Sequence, residues 1–177
     1  MFQNHLLQVL ALIAMEPPAA YEASLLQDEK LSLLRAVRPL DVERAVRGQY
    51  DAGRIEERDV VAYRAEPGVN PASRIATFAA MPLQIDNDRW KNVPFFVRCG
   101  KRLRKKISEV AVFFKNPPHP LVGLADGDRL ESNVLILNLQ PEESLSLQIR
   151  AKRPGPKLCT APVNMDFCYK QIFGADL

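Results

Sequence analysis

The sequence predicts an α+β protein, with helices first and then a largely antiparallel β-sheet that carries the helices packed on one face. Three observations predict it. Apolar residues recur every three or four positions over the first forty residues, the segments from Ala76 onward are short and rich in β-formers, and prolines and glycines separate the two regimes. Helices grouped ahead of strands, rather than alternating with them, belong to the α+β class. The chain of 177 residues is read as one domain, 1–177, a length able to bury roughly 70% of the surface its unfolded form exposes.

The first helix is expected over 4–15, where Leu6, Leu7, Val9, Leu10, Ile13 and Ala14 share helical spacing. Pro17-Pro18 end it, because proline supplies no backbone donor. Its first residues carry no capping signature and Met1-Phe2 already fits the pattern, so the helix is expected to start upstream of this chain. Ser24 and Gln27 have the spacing of a capping box and are expected to open the second helix, with Leu31, Leu34 and Val37 as its buried stripe. A short third helix is expected after Pro39, ending at Gly48, and 48–73 is read as loop. Strands are expected over 76–85, 95–98, 109–115, 134–140 and 145–150. In the last of these Leu145, Leu147 and Ile149 alternate with Ser146, Gln148 and Arg150, and Pro141-Glu142-Glu143 supplies a hairpin connection to the strand before it.

An apolar share of 47% and a charged share of 25% are ordinary for a soluble globular protein. No run of eighteen apolar residues occurs, and the stretch 9–15 is too short to cross a bilayer and follows no basic residue, so a cytoplasmic protein without membrane contact is expected. Cys99, Cys159 and Cys168 lack C-x-x-C spacing, which argues against a disulfide framework or a zinc site. His5 and His119 lie far apart, and no metal is expected. The net charge of +3 is small, so only local clusters of charge bear on partners.

Two places could carry chemistry. His5 lies near the start of the first helix, where a histidine is commonly a partly buried, hydrogen-bonded core residue; its functional reading is a general base, since imidazole titrates nearest neutral pH. The segment 98–106 holds Arg98, Lys101, Arg102, Arg104, Lys105 and Lys106 between two expected strands. Such a run is either a solvated basic turn or an anion site, in which lysine acts as a point charge, arginine as a fork, and Gly100 lets backbone approach the ligand. Nucleic acid is not expected as a partner, because stacking aromatics and a domain-wide basic excess are both missing. No strand runs into a glycine-rich phosphate loop, and Gly123 and Gly127, beside Asp126 and Asp128, open no helix. A G-x-S-x-G elbow is also absent.

Several stretches taken together are similar to one family. Asn4-His5-Leu6-Leu7-Gln8 with Ala14-Met15-Glu16-Pro17, then Arg47-Gly48-Gln49-Tyr50, Asp88-Arg89-Trp90 and Val93-Pro94-Phe95 follow in order. Arg98-x-Gly100-Lys101-x-Leu103, Gln140-Pro141-x-Glu143, Lys152-x-Pro154-Gly155 and Met165-Asp166-Phe167-x-Tyr169 complete the set. In these motifs the chain resembles the substrate-binding and subunit-pairing part of the glucose-6-phosphate dehydrogenases, over essentially its whole length.

The resemblance implies that His5 is the general base that takes the proton from the C1 hydroxyl of glucose 6-phosphate, while Lys101, Lys106 and Gln140 contact the sugar phosphate. It implies NADP as the hydride acceptor, bound mainly by an N-terminal dinucleotide domain that has no counterpart in these residues. No cofactor-binding residue is therefore assigned within the chain. By the same resemblance the chain is a piece cut at both ends, inactive in isolation, that forms a homodimer through its β-sheet. A second, structural NADP site known in some members is not expected, because Ile107, Ala111 and Asn138 stand where those members carry cations. The competing reading is a non-catalytic module that dimerises or binds through the sheet.

Overall fold

The computed structural model describes residues 2–116 and 131–174. His119, Gly123, Asp126, Gly127 and Asp128 lie outside the described residues. The chain divides into two compact units, Met1–Arg104 and Lys105–Leu177.

In the first unit a π-helical turn, Phe2–Leu6, runs directly into α1, Leu7–Ala14. The predicted helix is present, but its first turn is wound more widely than an α-helix. Helix α2 spans Ala23–Ala36. Its N-cap is Glu22, which makes no side-chain cap bond, so the capping box expected at Ser24 does not form. The reason is local: Glu22 has the extended backbone a cap needs, and its carbonyl already accepts from the Leu26 amide at 3.0 Å, which places Ser24 inside the first turn. The stripe also differs, since Leu33 is buried and Leu31 is 46% exposed. Val37 lies past the helix end, in an antiparallel bridge to Ile85.

After α2 the expected third helix shrinks to a 3-10 turn, Val42–Arg44, capped by the Asp41 carboxylate, which accepts from the Glu43 amide at 3.1 Å. Residues up to Gly48 then form strand β1, Val46–Gly48. The region read as loop contains a hairpin of β2, Gly53–Ile55, and β3, Arg58–Val60, followed by a 3-10 turn, Tyr63–Ala65. Strands β4, Phe78–Leu83, and β5, Phe95–Gly100, join β1 in an antiparallel sheet ordered β1-β4-β5. The register pairs Met81 with Val97 and Leu83 with Phe95, which puts all four on one face. That face meets the helices: Leu10, Ala11, Ala14, Leu33, Leu83 and Ile85 form the buried cluster, with Met81, Phe95, Val97 and Trp90 packed around it. Each fully buried leucine or isoleucine there contributes about 1.5–3 kcal/mol. Helices on one face of an antiparallel sheet are the α+β arrangement the sequence predicts.

A forked ion pair ties the end of α2 to the chain beyond β4. Arg38 donates from Nε and Nη2 to the two carboxylate oxygens of Asp86, the second at 2.7 Å, and from Nη1 to Gln84 Oε1 at 2.9 Å. The hydrogen bond from Arg38 holds the Asp86 carboxyl below the ordinary aspartate value of 3.8.

The second unit is a four-stranded antiparallel sheet ordered β6-β7-β8-β9: Ser108–Phe113, Val134–Gln140, Ser144–Lys152 and Thr160–Cys168. A short helix α3, Tyr169–Phe173, follows. Strands β6 to β8 stand where the alternating pattern predicts them, and 141–143 joins β7 to β8. Strand β9 was not expected. Pro162 and the polar Asn164 and Asp166 mask its pattern, and an edge strand tolerates proline because one side of its ladder is open. The register gives the sheet one apolar face, with Val110, Leu137, Leu145 and Phe167 in one row and Val112, Leu135, Leu147 and Met165 in the next. The opposite face carries Glu109, Asn138, Ser144, Ser146 and Asp166, where Ser146 donates to Asp166 and Asn138 donates to Ser144 at 2.9 Å. No helix among the described residues is long and apolar enough to cross a membrane.

Candidate functional site

His5 sits in the π-helical turn and is exposed, so it is not the core histidine that its leucine neighbours suggest. The helix that bears it is held at three places. Ala11 and Ala14 are fully buried, which brings α1 close to its neighbours with almost no side-chain entropy lost. The Trp90 indole N–H donates to the Ala14 carbonyl at 2.7 Å, satisfying an orphan acceptor at the end of α1. Arg89 donates to Glu16 at 2.7 Å and lies over the Trp90 ring, while Trp90 stacks edge-on against Phe95 with centroids 5.2 Å apart. Two motifs 76 residues apart thus interlock, and the turn bearing His5 packs against β5.

Strand β5 leads directly to Lys101, which is exposed and whose amide donates to the Thr77 carbonyl at 2.9 Å. The residues behind it form a network that local patterns do not show. Gln49 donates from Nε2 to the Ser73 and Ile75 carbonyls, both at 2.9 Å, and accepts from Arg64 Nε at the same distance. The Tyr50 amide donates to Thr77 Oγ1 at 2.9 Å, and the Tyr50 hydroxyl donates to Glu66 Oε1 at 3.1 Å. Arg102 donates from Nη2 to that same oxygen at 2.9 Å. The motif Arg47-Gly48-Gln49-Tyr50 therefore anchors the chain over 62–77, against which the Lys101 turn rests.

The basic run is divided in the fold. It straddles the boundary between the two compact units, with Arg98, Lys101, Arg102 and Arg104 in the first and Lys105 and Lys106 in the second. Arg102 is committed to Glu66, and the hydrogen bonds of Glu66 and Tyr50 raise its pKa further. Gly100 has a packing reason: a Cβ there would meet Phe78 Cδ2 at 2.9 Å and Leu103 Cδ2 at 3.2 Å. In the second unit Lys106 and Gln140 are both exposed. Gln140 pairs with Ser108 across the β6–β7 ladder, two residues on from Lys106, so both lie at one end of that strand pair.

A hollow of about 430 Å³ opens on the polar face of the second sheet, between Glu109, Asn138, Ser146, Asp166 and Gln171. Two carboxylates and no cation make it a poor place for a phosphate. Among the described residues no group of three histidine, cysteine or acidic side chains is placed to hold a metal. Nor does any strand among them run into a glycine-rich turn that opens a helix, and all three sheets are antiparallel. The described residues thus do not form the glycine-rich strand-turn-helix that holds a dinucleotide in a doubly wound fold.

The family model of the glucose-6-phosphate dehydrogenase C-terminal domain matches residues 1–177. The chain belongs to this family. The glucose-6-phosphate 1-dehydrogenase of Chlamydia trachomatis serovar D is 41% identical to it over 175 residues, covering 98% of this chain and 40% of that protein. The enzyme of the same name from Aggregatibacter actinomycetemcomitans is 43% identical over 179 residues, covering 99% and 35%. A solved glucose-6-phosphate dehydrogenase in complex with its substrate glucose-6-phosphate superposes with a TM-score of 0.84 at 32% identity, over 97% of this chain and 34% of that one. The Mycobacterium avium glucose-6-phosphate 1-dehydrogenase structure gives 0.81 at 38% identity, over 95% and 34%. This C-terminal domain chain thus spans little more than a third of the length of the oxidoreductases it matches.

Proposed function

We propose that the chain supplies the sugar-phosphate side of a glucose-6-phosphate dehydrogenase, which oxidises glucose 6-phosphate to 6-phosphogluconolactone in the cytoplasm with NADP as hydride acceptor. The observation that carries this is the shared reference of base and cation: the turn with exposed His5 packs against β5, and β5 leads straight into exposed Lys101. His5 takes the proton from the C1 hydroxyl through its imidazole, and Lys101 attracts the phosphate as a point charge. Lys106 and Gln140, each taken by itself, are proposed as further contacts to glucose 6-phosphate. The whole chain, 1–177, is read as one part of the C-terminal domain.

Among the described residues no strand opens a helix through the glycine-rich turn that cradles a dinucleotide, so the hydride acceptor is proposed to be held mainly outside these residues. A base without an acceptor positioned beside the sugar cannot complete the oxidation, so the isolated chain binds substrate without turning it over. Two measurements test this. Calorimetry with glucose 6-phosphate should show saturable binding that Lys101→Ala weakens about tenfold or more, as loss of a charge-assisted hydrogen bond implies. NADP reduction by the purified chain should be absent. Reduction that His5→Asn abolishes would show that these residues do assemble a cofactor site, and would overturn the division of labour proposed here.

A homodimer formed through the four-stranded sheet is proposed alongside. It is supported by the apolar rows of that sheet, in which no described side chain is fully buried.

A further inference from the structure

Arg102 follows Lys101 with φ at 56°, in the left-handed region that suits glycine and that other residues hold only when their surroundings impose it. Its surroundings are specific. Its guanidinium donates to Glu66 Oε1 at 2.9 Å, and the Tyr50 hydroxyl donates to the same oxygen at 3.1 Å. Glu66 is the sheltered partner, 22% exposed against 47% for Arg102. Tyr50 is itself fixed: its amide donates to Thr77 Oγ1, its carbonyl accepts from the Tyr63 amide at 3.1 Å, and its ring meets the Tyr63 ring edge-on with centroids 5.7 Å apart. On the other side of the turn the Lys101 amide is held by the Thr77 carbonyl, and the Thr77 amide by Gly48.

We infer that Glu66 is a positioning residue for Lys101, holding Arg102 in its left-handed conformation and so fixing the backbone from which the Lys101 side chain projects toward a phosphate. Glu66 also pairs with Arg102 at 2.9 Å, which sets the cation beside Lys101 apart from the anion site. This rests on the reading of Lys101 as a sugar-phosphate contact. Nothing in the local sequence marks Glu66, which follows the 3-10 turn Tyr63–Ala65 and lies 36 residues from its partner.

The test is calorimetric titration of the 177-residue chain with glucose 6-phosphate. Arg102→Gly and Arg102→Ala remove the same charge, but only glycine adopts the left-handed backbone without help. Arg102→Gly is expected within about twofold of the unaltered chain, and Arg102→Ala to bind about tenfold more weakly, as misplacement of one charge-assisted contact implies. Glu66→Gln should weaken binding several-fold, and Arg102→Gly added to it should restore the affinity. Equal affinities for Arg102→Gly and Arg102→Ala, or a Glu66→Gln chain that binds like the original, would overturn the positioning role. Should Lys101→Ala bind like the unaltered chain, or the unaltered chain bind no sugar phosphate at all, the assignment of Lys101 falls and the role of Glu66 falls with it. Because the two arginine variants leave Glu66 intact, their comparison stands even where Glu66→Gln fails to fold.

Discussion

Gly100 faces Phe78 across the β4–β5 ladder, and the aromatic side chain occupies the space where a Cβ would stand. A glycine in a strand offers no side chain to pack, and here, at the end of β5, Phe78 and Leu103 cover it. Gly100→Ala would force the Phe78 ring or the Leu103 side chain to move, which in a packed site costs about 1–3 kcal/mol. Urea unfolding should show a lower midpoint with unchanged slope. An alanine variant of full stability that had lost sugar-phosphate binding would return the glycine to the role its place in the basic run suggests, close backbone approach to a ligand. Residue-scale chemistry of this kind is half legible in sequence. His5 and the basic run that holds Lys101 stand out by residue type, and their roles are implied only by the resemblance, whereas the residues that hold their turns, Trp90, Glu66 and Thr77, come from segments 24 to 76 residues away and leave no local trace. The packing over Gly100 was not visible, because Phe78 reaches it only through strand pairing.

The hairpin β2–β3 shows the same limit at the scale of an element. Its turn residues, Glu56 and Glu57, have φ of 47° and 66°, the paired left-handed conformation that suits asparagine and glycine and matches the twist of the two strands. Two glutamates give no turn signal, so 48–73 reads as loop although the chain pairs there. Replacing Glu56-Glu57 by Asn-Gly should relieve the strain and stabilise the protein by about 1 kcal/mol. Thermal unfolding would show this as a raised midpoint, and a lowered one would mean that the glutamates make contacts worth more than the strain. The elements that could be read in advance, α1, α2 and β4 to β8, are those long enough to show an apolar period or a run of β-formers. Strand β1 was read as helix because three residues are too few to show a period, and its pairing with β4, Val46 opposite Ala80, is supplied by tertiary contact. Strand β9 is long enough, but its polar face alternates with residues that are themselves half exposed, and its proline argues for loop.

At the scale of the whole molecule the two units differ in how they hide apolar surface. The first closes a core between α1, α2 and one face of β1-β4-β5, so that leucine, isoleucine and alanine side chains leave solvent altogether. The second lays its valines and leucines along one sheet face, and there Met165 remains 50% and Val163 44% exposed. A face of this kind, rimmed by polar residues, is what a protein partner covers, and a second copy of the same sheet is the partner proposed here. A stable pairing needs about 1,200–2,000 Å² of total buried surface. Analytical ultracentrifugation should then find a dimer that dissociates on dilution. Met165→Asp places a charge in the middle of the β9 row opposite Leu147, and truncating or charging a central apolar contact costs more than about 1 kcal/mol, a weakening of at least fivefold. Circular dichroism of the variant separates lost association from lost folding. A folded chain that is monomeric at every concentration, with Met165→Asp no different from the original, would show that the apolar rows do not serve self-association.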